Sequence, residues 1–271
     1  MNTFNVTMLA SGSKGNAALI SSGGGNFLVD VGISCRMLTS RLKNAGCQPE
    51  DLDGIFITHE HTDHVKGLAG FLKKYRIPVY SSEKTWKAIL MKDSEIDRRC
   101  CRIMGGSLQC AGVNVASFPI PHDAADPRGY IFSDGKSKCT YLTDTGFVTD
   151  AVRQAAEGAD TLILEANHDV EMLRNGRYPQ VLKQRILSTR GHLSNDSAGW
   201  LLAQLKKIPE HVILAHLSQD NNRPQLARDT VSAILDGSGR LRETELFVAS
   251  QDHVVADFQT ADNLFSINQD V

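Results

Sequence analysis

THEHTDH, residues 58–64, places three histidines and one aspartate within a single short stretch. Structural histidines usually come singly, each satisfied by one or two hydrogen bonds. A cluster this dense is a donor set for cations: imidazole nitrogens and carboxylate oxygens suit Zn, Mn or Fe, and no nearby cysteine points to a closed structural zinc site. GIFIT (54–58) reads as a buried strand. HVKGLAGFLKKY, which follows, carries Val65, Leu68, Phe71 and Leu72 at helical spacing. His59 and His61 then stand on the connecting loop with their side chains on the same side. Asp63 and His64 stand at the helix start, where Asp63 can also cap. Two pairs of ligands leaving one turn suit two neighbouring metals better than one. A merely polar loop capped by Asp63 gives no reason for the triple histidine.

The elements that position such a cluster are strands and helices in alternation. Strand patterns cover 4–9, 18–22, 26–32, 54–58, 113–120, 129–133, 139–144, 161–166, 211–216, 245–249 and 253–258. Helical patterns cover 34–45, 64–75, 83–91, 147–157, 178–189, 196–206 and 223–236. The last has a proline early, Pro224, and a glycine just past its end, Gly237, as a helix should. No Pro-, Gly- or Ser-rich linker and no short repeat divides the chain, so 1–271 is expected to be one layered α/β domain. Several apolar strands run into a polar residue: GIFIT into His59, TYLT into Asp144, VILA into His216. Such residues are fixed by the core yet open to a cleft.

Bulk properties exclude several classes. The 271 residues are 41% hydrophobic and 22% charged, enough for a sizeable core. A net charge of −2 gives no global basic field, so any polyanion contact must be local. No apolar run approaches the roughly 18 residues of a membrane span, and the N-terminal stretch does not read as a signal peptide. The six cysteines (Cys35, Cys47, Cys100, Cys101, Cys110, Cys139) lack CxxC spacing and read as reduced thiols of a cytoplasmic protein.

HEHTDH resembles the HxHxDH signature of the metallo-β-lactamase superfamily. The resemblance extends through NFLVDVG with Asp30, FPIPHDAADP with His122, YLTDTG with Asp144 and ILAHLSQDNN with His216. It implies a four-layer αβ/βα sandwich with two mixed β-sheets and the metals in a cleft at one edge. It also implies His59, His61 and His122 on the first metal, and Asp63, His64 and His216 on the second, with Asp144 bridging. Asp30 reads as a residue supporting the ligands rather than as a ligand.

Further motifs narrow the branch. RGHLSND (190–196) resembles the extra, non-ligand histidine of the nuclease branch, found in tRNase Z and RNase J-type enzymes. SGSKGN (11–16) and SQDNNRPQ look like the small YycJ/WalJ-type exonuclease family. Between Met172 and Asn195 there is no acid, while Arg174, Arg177, Lys183, Arg185 and Arg190 supply a basic patch for a phosphate backbone; the alternative for it is a solvated helix face. The stretch from Asp144 to His216 is too short for the β-CASP insertion of RNase J-type enzymes. No tRNase Z arm, export signal or glyoxalase-type HTxGHT motif is present.

The resemblance therefore leads to a metal-dependent hydrolase: a dinuclear phosphodiesterase, a DNA exonuclease, using a metal-bridging hydroxide. The alternatives are a small-molecule phosphodiesterase, lactonase or thioesterase of the same superfamily, an RNA-processing nuclease, or a metal-binding regulatory partner without catalysis. Asp63, His192 and Glu165 are the expected catalytic residues, with Glu165 orienting His192. Ser13, Asn16, His168, Arg177, Lys183 and Arg185 are the expected substrate contacts; for His168, a plain helix-start role is the alternative. Two divalent transition metals (Zn or Mn, with Fe also compatible) are the expected cofactors. The expected partner is nucleic acid, DNA before RNA, with no membrane and with an oligomer compatible.

Overall fold

The computed structural model describes residues 3–256. Two seven-stranded sheets form its centre. The first contains β1 (Asn5–Ala10), β2 (Ala17–Ser22), β3 (Gly25–Val29), β4 (Gly54–Phe56), β5 (Val79–Ser81) and β6 (Cys101–Ile103). The second contains β7 (Ser107–Cys110), β8 (Val113–Pro119), β9 (Arg128–Ser133), β10 (Lys138–Leu142), β11 (Thr161–Glu165), β12 (His211–Ala215) and β13 (Glu245–Val248). β14 (Val255–Ala256) returns to the first sheet, antiparallel to β1. The rest of the strand expected over 253–258 lies outside the described residues.

The sheets share one plan. β1 to β3 are antiparallel neighbours, whereas β3 to β6 run parallel. Likewise β7 to β10 are antiparallel and β10 to β13 parallel. Parallel strands are covered on both faces, so they read as unbroken apolar runs. TLILE of β11 is buried at every position.

Helices cover both outer faces. α1 (Cys35–Asn44), α2 (Thr62–Val65), α3 (Leu68–Lys74) and α4 (Glu83–Lys92) belong to the first half. α5 (Asp150–Ala156), α6 (Val170–Asn175), α7 (Gln180–Ile186), α8 (Asn195–Gln204) and α9 (Pro224–Gly237) belong to the second. Leu38, Leu72 and Trp86 seal one outer layer, and Val152, Leu201 and Val231 the other. Between the sheets, Phe27, Phe56, Tyr130, Phe132 and Tyr141 form a third core. Burying each such side chain contributes roughly 1.5–3 kcal/mol. The layers are helix, sheet, sheet, helix: the expected αβ/βα sandwich.

One expected element divides. The helical pattern over 64–75 becomes α2 and α3, parted at Gly67. There the backbone N–H donates to Val31 O, and an added Cβ would lie 1.9 Å from Ile33 O. A close backbone approach thus overrides helical periodicity. Strands β5, β6 and β7 and helix α6 are additions, each too short to leave a periodic trace.

Candidate metal centre and catalytic site

The site gathers where strands of both sheets end. Asp30 follows β3, Asp144 comes two residues after β10, Glu165 closes β11, and His216 follows β12. Asp30, Asp144 and His216 adopt φ of 63°, 59° and 57°. These are left-handed conformations, costing a non-glycine residue about 1–3 kcal/mol each. Each turns its side chain off the strand line, and neighbours hold the turn. The N–H of Asp30 donates to Phe56 O at 3.0 Å, and that of His216 to Ser11 Oγ at 2.7 Å.

Donor groups that could hold a metal ion converge there and overlap, one of them Asp144, Glu165, His192 and His216. Donor atoms of His59, His61 and His122 lie within 4.8 Å of one another, as do those of Asp63, His64 and His216. Asp144 falls within the same reach of His59 and His64, between the sets. α2 begins at Thr62 with His61 in the capping position and no side-chain cap bond. The expectation that Asp63 caps the helix is therefore corrected, and its carboxylate is free of that duty.

The supports leave the second nitrogen of each ring to the other donors of the cluster. Asp30, fully buried, accepts from His64 Nδ1 at 2.8 Å and from the N–H of Thr58 at 2.9 Å. His122 Nδ1 donates to Gly191 O at 3.0 Å. His216 Nδ1 donates to Glu165 Oε1 at 3.0 Å. The Thr58 hydroxyl lies 3.0 Å from His59 Nδ1. Among the buried polar atoms without a hydrogen bond are His59 Nε2 and Asp144 Oδ2. Buried polar atoms are almost always bonded, so two orphans inside a converging His/Asp set fit cations.

Electrostatics agree with that fit. Burial alone would raise the carboxyls of Asp63 and Asp144, but the surrounding histidines outweigh it and hold both below the usual range. Burial would depress His216, yet Asp144, Asp63 and Glu165 push it up to about 10. His59 lacks so close an acid. Its burial and the neighbouring histidines lower it well below the ordinary value.

Beside this basket lies the expected proton-transfer pair. His192 Nδ1 donates to Glu165 Oε1 at 2.8 Å, and the ring stacks on His216 with centroids 5.3 Å apart. Glu165 also accepts through Oε2 from the N–H groups of Thr145 and Leu193 at 2.8 and 3.1 Å. It thus fixes His192 and His216 together. The second role left no separate signal in the sequence.

A cleft of about 210 Å³ opens over these groups, lined by Ser13, His61, Asp63, Asp144, His192 and Arg185 among others. Four expected substrate contacts, Asn16, His168, Lys183 and Arg177, do not line it. Asn16 is buried, and its amide donates toward Asp63 O and Oδ2, each at 3.4 Å; it braces the ligand loop. Gly32 permits this: a Cβ there would sit 1.7 Å from Asp63 O and 2.5 Å from Asn16 N. His168 is buried with neither ring nitrogen bonded, and burial lowers it to about 4. Lys183 donates to Arg174 O at 2.7 Å, away from the cleft.

The expected basic patch is likewise mostly committed. Arg174 pairs with Glu171 at 3.2 Å, and Arg190 donates to His122 O. Arg185 grips Asp123 through Nε at 2.5 Å and Nη2 at 3.1 Å. Arg177 is exposed and sits beside the cleft rather than in it. Sequence reading missed Ser11, Thr58, Asn167 and Tyr178. Asn167 Nδ2 donates to His216 O at 2.8 Å, and Tyr178 lines the cleft wall. Thr58 alone offered a signal, as a hydroxyl at the strand end directly before the histidine motif.

Comparison with known proteins places these features in context. The family described as Beta-lactamase superfamily domain matches residues 25–217. The exodeoxyribonuclease YycJ of Bacillus anthracis is 41% identical over 236 residues, covering 86% of this chain and 89% of that protein. The exodeoxyribonuclease WalJ of Streptococcus pneumoniae is 41% identical over 235 residues, covering 84% and 87%. The crystal structure of the metallo-beta-lactamase fold protein YhfI from Bacillus subtilis superposes with a TM-score of 0.71 at 18% identity, covering 94% of this chain and all of that one.

Proposed function

The chain belongs to the metallo-β-lactamase superfamily, in its YycJ/WalJ-type group, and within it we propose that this metal-dependent hydrolase is a two-metal phosphodiesterase degrading DNA from its ends. The observation that carries the proposal is the pairing of two ligand sets around Asp144 with the buried Glu165–His192 couple at their side. The relatives named exodeoxyribonuclease support the DNA substrate.

In this reading His59, His61 and His122 hold one divalent ion, Asp63, His64 and His216 hold the other, and Asp144 faces both. Such ions, when bound, supply a nucleophilic water of lowered pKa and stabilise charge on phosphate oxygens. The chain's own residues do the rest. Asp30, Thr58 and Asn16 keep His64, His59 and Asp63 aimed at the shared donor cluster, so the site is ordered before substrate arrives. Glu165 holds the proton on His192 Nδ1. Nε2 is then the nitrogen left for the cleft wall, and in the doubly protonated ring it gives its proton to the departing deoxyribose oxygen, which returns His192 to the Nδ1–H form held by Glu165. Arg185 supplies positive charge at the rim.

Residues 1–271 are taken as one catalytic domain. Among the described residues no helix is long and apolar enough to cross a membrane. None of the six cysteines is in a disulfide, which supports a cytoplasmic setting. The test is a panel of end-labelled single- and double-stranded DNA and RNA with Mn or Zn, run beside a chromogenic phosphodiester. Stepwise shortening of DNA is expected. Turnover of the small ester with every polynucleotide intact would contradict the proposal.

A further inference from the structure

The metal cleft is too small for the substrate assigned to it. At about 210 Å³ it holds a phosphate and its surroundings, whereas pockets that bury an organic ligand run from about 300 to 1,000 Å³. A second groove of about 460 Å³ adjoins it. Its walls include Met172, Asn175, Arg177, Gln219 and Asp220, and Tyr178 lines both spaces. The far wall continues the segment that carries the metal-site residue His216, through Ser218 to Gln219 and Asp220. Tyr178 Oη donates to Asp220 Oδ2 at 2.8 Å, so the half-buried ring is tied across both walls.

The groove's chemistry is that of a nucleotide. Arg177 is exposed and engages no hydrogen bond or ion pair among the described residues, unlike Arg174, Arg185 and Arg190 of the same stretch. Asn175 and Gln219 offer carboxamides, which bond base edges in either sense. The Tyr178 ring offers a stacking face tolerant of any base. The one acid, Asp220, is occupied by the Tyr178 hydroxyl.

We propose that the groove beyond Tyr178 takes the nucleotide adjoining the scissile phosphate, with the Tyr178 ring as its stacking wall and Arg177 on the next phosphate. The assignment rests on the DNA-phosphodiesterase reading, and it makes Tyr178 and Arg177 determinants of chain-length preference.

The test uses the metal-loaded full chain and compares kcat/KM for a single-stranded oligonucleotide with that for bis(p-nitrophenyl) phosphate, which is too short to span the groove. Tyr178→Ala is expected to cost the oligonucleotide about ten- to a hundredfold more than the small ester, the size of one lost base stack. Tyr178→Phe, which keeps the ring, should retain most of that preference. Arg177→Ala should lower the slope of oligonucleotide binding against salt by about one. Equal losses on both substrates in Tyr178→Ala, or DNA cleavage unchanged in both alanine variants, would overturn the groove while leaving the DNA reading intact. Wild-type protein that turns over the ester but no polynucleotide would remove the DNA reading and the groove with it.

Discussion

The basket of strand ends and the α6–α7 rim above it are built on opposite terms. In the basket, Asp30, Asn16, Thr58 and Glu165 are buried, and together they brace His59, Asp63, His64, His192 and His216. On the rim, Arg174, Arg177 and Arg185 are exposed, and the two that are paired each hold one acid, Glu171 and Asp123. Burial lets a weak set of hydrogen bonds fix geometry, because the alternative for each group is an unpaired polar atom away from water. Exposure lets a charge change partners at little cost, since surface pairs contribute only about 0–1 kcal/mol. The basket therefore suits invariant chemistry, and the rim suits a substrate that must arrive, slide and leave.

The largest effect should come from breaking the basket itself. Asp63→Ala should empty the second metal position while the His59/His61/His122 set stays loaded, which metal analysis reads directly. A lost cation forfeits several kcal/mol of transition-state stabilisation, so phosphodiester cleavage should fall by more than about 10³-fold. Next comes support without ligation. Asp30→Asn leaves every proposed ligand but loosens His64, and the weaker-bound of two metals should lose about 10- to 100-fold in affinity by competition with a chelator.

The same contrast governs what the sequence could reveal. The THEHTDH cluster, Asp144 and His216 were legible because a strand end fixes residues through local spacing. β11 and β12 were legible because their burial on both faces writes an apolar run. The rim was not. The partner that occupies Arg185 is Asp123, far away in the chain, and the break between α2 and α3 comes from the packing of Gly67 against Ile33. β6 is three residues with Arg102 and Ile103 both exposed, and β7 alternates exposed Ser107 and Gln109 with half-buried Leu108 and Cys110 over only four residues, too short a run to mark a strand. Asn16 and Lys183 were misassigned for one reason: residue type reveals capacity to bond, not which neighbour takes the bond.

His168, buried with both ring nitrogens unbonded, sharpens the comparison through pH. Its folded value of about 4 lies below the ordinary 6.5. Below pH 6.5 the unfolded chain takes up a proton that the folded chain refuses, so stability falls as pH drops toward 4. Between pH 7 and pH 5 the loss should be about 2 kcal/mol. In His168→Phe, urea unfolding should show that much less acid sensitivity than wild type, whatever constant packing offset the ring adds. Identical pH slopes in the two proteins would place His168 in contact with water.

The smallest effect belongs to the rim. Lys183→Ala should change stability by no more than about 0.5 kcal/mol and leave the salt dependence of oligonucleotide binding unaltered. Arg185→Ala, which removes a cleft-lining cation, should flatten that dependence by about one unit of slope. A large effect of Lys183 would return it to the substrate path.

The central claim is that the Glu165–His192 couple works on a phosphodiester beside metals that it does not bind. Its most direct test is His192→Ala, with metal content and DNA cleavage measured on the same preparation. Both metals should remain, and cleavage should fall by about 10²–10⁴, the usual cost of a lost general acid. The deficit should shrink for a nitrophenolate leaving group, which departs without a proton. Metal loss in the variant, or full metal content with DNA cleavage unchanged, would contradict it.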